Sequence, residues 1–167
     1  MRRRITQLAA GLIVVVGVLG VTLVVGMRTK SALVLDAVRR CGRATKRFVL
    51  PSAGTPGSTI SVVRHVGRTT GRTYETPVQA VPTDDGFVIA LPYGPNTDWL
   101  KNVLASGSAT ITHDGTANRV DQPEVISMAA AAPNFSSSDQ RTHRLFGVED
   151  CLSVRRVAPE SVEQLAD

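Results

Sequence analysis

The chain has 167 residues, 19 Lys+Arg against 14 Asp+Glu, and a net charge of +5. That length suits one domain with its own core, and 43% hydrophobic with 20% charged residues excludes wholesale disorder. Two cysteines far apart in sequence exclude a disulfide framework and offer no zinc spacing. The charge is unevenly placed. Residues 1–50 hold ten Lys/Arg and one acid, a balance of +9, whereas residues 51–167 hold nine Lys/Arg and thirteen acids, a balance of −4.

No ionisable side chain lies between Arg4 and Arg28, and Leu8–Met27 is almost wholly Leu, Ile, Val, Gly and Ala. Twenty helical residues at ~1.5 Å each reach ~30 Å, the thickness of a bilayer core. Residues 1–30 therefore read as a transmembrane anchor with basic flanks. A secretory signal and a true start at Met27 are the competing readings; the first lacks an A-x-A-like cleavage site. Three arginines precede the span, and Arg28, Lys30, Arg39, Arg40, Arg43, Lys46 and Arg47 follow it. This bias places the following domain on the cytoplasmic side.

Residues 31–57 form an amphipathic basic helix and a Pro/Gly linker. Over Ser31–Phe48 the apolar Val34, Ala37, Val38, Cys41 and Ala44 recur at helical spacing, with the cations largely elsewhere. Such a helix can lie on anionic headgroups or pack on the domain. Pro51–Gly57 is rich in breakers.

From residue 58 the pattern turns β. Strands are expected over Thr59–Val66, Tyr74–Val81, Phe87–Leu91, Ala109–His113, Asn118–Val125 and Cys151–Val157, with Pro77 marking an edge or bulge. Asp85-Gly86 and Asp114-Gly115 are tight-hairpin pairs. Helices are expected over Asn96–Ser106, ending at Gly107, and Ser138–Phe146, with Ser137 and Gln140 at capping-box spacing and Gly147 as the stop. Met128–Pro133 is a short helix or a loop. Six short strands joined mainly by hairpins predict a small antiparallel barrel, α+β in class, over 58–167.

No Walker A sequence, G-x-S-x-G or H-E-x-x-H occurs, and His65, His113 and His143 are dispersed, so no metal site is expected. Cys41 and Cys151 read as small apolar packing residues. Arg64–Thr73 stands out: two glycines bracket two threonines, with three arginines at four-residue spacing. Its backbone N–H groups and hydroxyls can face an anion, or it is an ordinary polar hairpin. The folded part is acidic and its aromatics form no stacking stripe, which excludes nucleic acid as a partner.

The segments GRTTGRTYETPV, DDGFVIALPYG and NTDWLKNVLASGSATI together resemble the deazaflavin-dependent nitroreductase family of actinobacteria. The resemblance spans roughly Val62 to Ile111 and, more loosely, reaches Cys151–Val157. It implies a split β-barrel of the FMN-binding-like class, and coenzyme F-420 as cofactor. It implies further that Arg68, Thr69, Thr70 and Gly71, with Arg72 nearby, hold the cofactor's phosphate and glutamate tail. Thr76, Pro77 and the strand end Leu91-Pro92-Tyr93-Gly94 would lie beside the deazaflavin ring, and Trp99 and Asn102 would close over it. Many relatives carry lysine where this chain has Thr69 and a basic residue where it has Tyr74; Arg64, Arg72 or Lys101 would have to compensate. Tyr93 and His143 are the proton donors that residue type offers.

The expected function is hydride transfer from reduced coenzyme F-420 to a lipophilic quinone, enone or nitro compound by a membrane-anchored enzyme. The alternative is a split-barrel protein that binds F-420, FMN, haem or a lipid without catalysis. Family analogy adds a homodimer.

Overall fold

The computed structural model describes residues 16–158. The elements run α1 (Val16–Arg28, the described part of the first helix), α2 (Ala32–Val49), β1 (Ser61–Val66), β2 (Thr73–Val78), β3 (Ala80–Pro82) and β4 (Gly86–Ala90). They continue with α3 (Asp98–Ser106), β5 (Ser108–His113), β6 (Thr116–Ser127), α4 (Met128–Ala131) with a 3-10 turn over Ala132–Asn134, α5 (Ser137–Phe146) and β7 (Asp150–Arg156). Among the described residues there are thus seven strands in one sheet and five α-helices.

All seven strands pair antiparallel in one sheet, in the order β2-β1-β5-β6-β7-β4-β3. The two edge strands are consecutive in the chain: β2 ends at Val78 and β3 begins at Ala80. Residues two apart lie at most about 7 Å apart. The sheet must therefore curl until its two edges meet at Gln79, as a half-barrel joined at that corner. The single strand expected over Tyr74–Val81 is in fact both edges of the sheet. It breaks at Gln79 because the first half pairs with β1 and the second with β4. The curl is helped by β6, where Gln122 takes φ 49° and the register against β7 shifts between Asp121 and Glu124. Such a bulge bends the strand and increases its twist.

Of the two hairpin pairs, Asp85-Gly86 is offset: the β3–β4 turn is Thr83–Asp85 and Gly86 already opens β4, opposite Arg155. Asp114 (φ 47°) and Gly115 (φ 77°) take the two left-handed angles of a type I′ turn between β5 and β6. The breaker-rich Pro51–Gly57 is pinned to that turn: Gly115 N–H donates to the Gly54 carbonyl at 2.7 Å, and Gly57 N–H to Asp114 Oδ1 at 2.7 Å. It is an ordered strap rather than a loose linker.

Inside the curl, Val63, Phe87, Ile89, Ile111, Val120, Leu152 and Val154 form the main core, closed at one end by Leu100 and Val103 of α3. β4 is buried on both faces. Phe87 and Ile89 point into that core, whereas Val88 packs outward with Ala131, Phe135 and Cys151. Burial pushes the Cys151 thiol up to about 11, with Asp150 adding to it, so this cysteine packs and does not react. α5 begins one residue earlier than its spacing predicts. Ser136 is the cap, accepting from Asp139 N–H at 3.1 Å, and Gln140 instead donates to the Ala132 and Phe135 carbonyls.

The expected anchor, residues 1–30, lies partly outside the described residues. Among the described residues no single helix is long and apolar enough to cross a membrane; α1 and α2 meet that criterion only together, bent by 106°. Most large apolar side chains of α1 are exposed, among them Val16, Leu19, Val21 and Val25. Its end is fastened to the C-terminus of α5. Arg28 Nη1 donates to the Arg144 carbonyl at 2.8 Å, and Lys30 Nζ to the Gly147 carbonyl at 2.8 Å. Cations at a helix C-terminus meet both unpaired carbonyls and the negative end of the dipole.

Candidate functional site

A cavity of about 940 Å³ opens between α2, the β1–β2 turn, β2, the β4–α3 loop and His143 of α5. The segments singled out in the sequence meet there. Arg68, Thr69 and Thr70 come from the turn, Thr76 and Pro77 from β2, Leu91, Pro92 and Tyr93 from the loop after β4, and Trp99 and Asn102 from α3. Gly71 and Arg72 do not line it. They stand on the exposed outer side of the turn, where Gly71 supplies a φ of 65° and donates its N–H to the Gly67 carbonyl. Of the cations expected to compensate at Thr69 and Tyr74, none lines the cavity. Arg64 pairs with Glu75 at 2.9 Å on the outer surface, and Arg72 and Lys101 lie elsewhere.

The turn is held from below by a run of hydrogen bonds. Asn102 is buried on α3, and its Oδ1 accepts from Arg68 N–H at 3.1 Å and Arg68 Nη1 at 2.9 Å. That leaves Asn102 Nδ2 to donate, and its partner is Nδ1 of buried His65 at 3.3 Å. His65 Nδ1 is therefore the acceptor and Nε2 carries the proton, which it donates to Thr76 Oγ1 at 3.2 Å. Burial, with Lys46 adding to it, holds the His65 imidazole below its ordinary pKa, consistent with a neutral ring. Arg68 continues the run to α3, Nη2 meeting Asp98 Oδ1 at 3.1 Å and Nη1 the Asp98 carbonyl at 3.3 Å. A Cβ on Gly67 would stand 2.5 Å from Thr70 Oγ1 and 2.6 Å from the Tyr74 ring. With glycine there the turn closes down on β2 without displacing either side chain.

The sequence did not signal the opposite wall. α2 turns Leu35 into the protein and brings Arg39, Gly42, Arg43 and Lys46 to the cavity, while Ala37, Cys41 and Ala44 of the expected apolar stripe are exposed. Arg39 Nη2 donates to the Tyr93 carbonyl at 2.9 Å. The four-then-three spacing of Arg39, Arg43 and Lys46 was the available signal; it defines a cationic face but not where that face points.

Three buried side-chain polar atoms lack a hydrogen-bond partner among the described residues: Arg39 Nε, Thr97 Oγ1 and His143 Nδ1. All three residues line this cavity. Buried polar atoms are seldom left unpaired, so these three offer hydrogen-bonding capacity at the cavity wall to water or to a polar ligand. Trp99 both packs against the main core and lines the cavity. Burial raises the Tyr93 hydroxyl above its ordinary pKa, with Cys41 adding and Arg39 opposing. Burial lowers His143, Asp139 opposing, and the ring stands edge-on to Phe135 at 4.8 Å. Near neutral pH these directions leave a protonated phenol and a neutral imidazole in one cavity. Among the described residues no group of His, Cys, Asp and Glu is placed to hold a metal ion.

No family model matches the chain, and no curated protein matches it. Solved structures similar to it include an F420-H2 dependent reductase (FDR-A), 10% identical, with a TM-score of 0.41 over 58% of this chain and 94% of that one. A protein related to general stress protein 26 of B. subtilis, of the pyridoxinephosphate oxidase family and from Clostridium acetobutylicum, is 11% identical, with a TM-score of 0.44 over 59% and 75%. A third structure, described as a domain-swapped dimer, is 13% identical, with a TM-score of 0.44 over 72% and 98%.

Proposed function

We propose that the protein is a membrane-anchored split-barrel oxidoreductase that binds coenzyme F-420 in this cavity and reduces a lipophilic electrophile, a quinone, an enone or a nitro compound. The observation that carries this reading is the convergence of the G-R-T-T-G turn, the Thr76-Pro77 pair, the Leu91-Pro92-Tyr93 strand end and the Trp99/Asn102 helix face on one cavity. The residues fit such a group. Pro77, Leu91, Pro92 and Trp99 offer an apolar wall to a planar ring, and cations and unpaired donors offer the rest to an anionic chain. When bound, the deazaflavin supplies the hydride. The chain's own residues bind, orient and exclude water, and Tyr93 Oη and His143 are the groups positioned to hold a proton at the cavity wall. FMN is the runner-up, as the same wall and donors suit another flavin.

The membrane part of the reading is supported by exposure. Leu33, Ala37, Cys41, Ala44 and Phe48 form a helical stripe on the outer side of α2, continuous in the chain with the exposed apolar α1. With this stripe outward, flanked by exposed Arg40 and Arg47, and with Arg39 and Lys46 at the cavity, α2 is suited to stand between an anionic lipid surface and the cavity.

The test is a titration of the full chain, in neutral detergent micelles, with oxidised coenzyme F-420. Trp99 is the only tryptophan, so its quenching reports the cavity directly. Saturable quenching is expected, followed by reduction of menadione when the cofactor is supplied reduced. Absence of binding at high micromolar cofactor sinks the reading. FMN or haem retained through purification favours the runner-up, and binding without turnover favours a carrier.

A further inference from the structure

The cavity has two cationic contributions, and they differ in how much of their hydrogen-bonding capacity is already used. Arg68, the arginine that the motif assigns to an anion, is engaged by Asp98 and Asn102 through three side-chain hydrogen bonds and serves to fix the turn. On α2 the case is reversed. Asp36, the one acid this helix brings to the cavity, is taken by Arg40 at 2.7 Å. Among the described residues neither Arg43 nor Lys46 has a carboxylate within 4.0 Å, and Arg39 keeps a buried Nε with no acceptor. The three lie within eight residues, seven helical steps or about 10 Å of helix axis. They run from the Tyr93 end of the cavity, where Arg39 is bonded, towards His65, whose titration Lys46 perturbs.

We infer that the inward face of α2, Arg39, Arg43 and Lys46, is an anion-recognition wall that takes the phosphate or carboxylate groups of the cavity's ligand. A row of cations 10 Å long suits an extended polyanion rather than a single small ion. The inference rests on the coenzyme F-420 reading only for which anion is bound.

The experiment compares full chain and R43Q/K46Q in neutral micelles, with quenching of Trp99 as readout. Arg39 is left in place because it also holds the Tyr93 carbonyl. Three probes are used: coenzyme F-420, the same deazaflavin without phosphate and glutamate tail, and inorganic tripolyphosphate. The wild type is expected to bind F-420 with an affinity that falls with salt. The double variant should weaken it by about tenfold to a hundredfold, flatten the salt dependence, and leave the tail-free deazaflavin unchanged. The variant R43K/K46R, which keeps both charges, should recover most of the loss. Equal F-420 affinity in wild type and R43Q/K46Q overturns the inference. So does a variant that loses only its binding to vesicles of anionic phospholipid, since the cations would then face lipid. If neither deazaflavin binds, the cofactor reading fails and tripolyphosphate decides. Tripolyphosphate binding is read by titration calorimetry: heat of binding present in wild type and lost in the variant keeps the wall for another polyanion, and no binding to either removes it. A variant with a lowered melting midpoint is replaced by the single K46Q, expected to show a smaller loss in the same direction.

Discussion

His65 is a buried imidazole whose two nitrogens are both committed, one accepting from Asn102 and the other donating to Thr76. Protonation would put a second donor against the Asn102 amide, so the fold prefers the neutral ring. The folded pKa is lowered by burial and by Lys46, so in acid the unfolded chain binds the proton that the folded chain refuses. The resulting stability is complete above the unfolded value, about 6.5, and is lost as pH falls through it towards the lower folded value. His143, also lowered by burial, acts in the same direction. The melting midpoint should therefore drop between pH 7.5 and 5.5. His65→Asn, whose amide oxygen can still accept from Asn102, should show a shallower drop; an unchanged pH slope would show that His65 does not carry it. At this scale the sequence was informative about Arg68, Thr76, Trp99 and Asn102 because they sit in short motifs. It was silent about His65 and Asp98, whose roles arise from partners more than ten, and in part more than thirty, residues away. The partners of Arg68, Asp98 and Asn102, come from a helix thirty or more residues along the chain and become visible only once it is folded.

At the level of elements, the two glycines of the turn do different work, and substitution separates them. Gly67 is needed for closeness: a methyl there meets Thr70 Oγ1 and the Tyr74 ring, which stacks on His65 at 5.9 Å. Gly71 is needed for its left-handed φ of 65°, with open space around it. Gly71→Ala should cost about 1–2 kcal/mol of stability, the backbone penalty, and leave ligand affinity nearly intact. Gly67→Ala should cost about 1–3 kcal/mol through overpacking and also weaken ligand binding, because Thr70 and Tyr74 line the cavity. Denaturant unfolding and Trp99 titration together distinguish the two; equal ligand affinity in both variants would remove the closeness argument. Helix α2 shows where sequence reading stops. Its period marks two faces, but a helix carrying small apolar residues on one and arginines on the other says nothing of which is inward. Leu35 and the Gly26–Val34 contact set the rotation, and a cationic face turns in as a result.

For the whole molecule, the barrel class was legible because hairpin pairs and β-branched runs are local. The break at Gln79 was not, since a strand that leaves one sheet edge and joins the other keeps the same residue pattern. The Lys/Arg distribution carries a further expectation at this scale. A topology reporter fused after Asp167 should read as cytoplasmic, because seven cations follow the apolar segment and three precede it. A reading from the opposite side would reverse the orientation and separate the cavity from a cytosolic cofactor. The clasp that ties the bend between α1 and α2 to the end of α5 has a consequence for the order of assembly. Its contacts join residues 116 and 117 positions apart, whereas three of the six strand pairs close over hairpins and the other three join residues at most 69 positions apart. Closing so long a loop is entropically costly until its ends are already held near one another. The clasp is therefore expected to close after the sheet, and α2, tied to the barrel by Arg39 and with only Leu35 buried, is the element least secured without it. By the same reasoning the cavity is the first region to open when the protein loosens, and a guest that bridges α2 to the barrel fastens the part of the fold that holds least well alone.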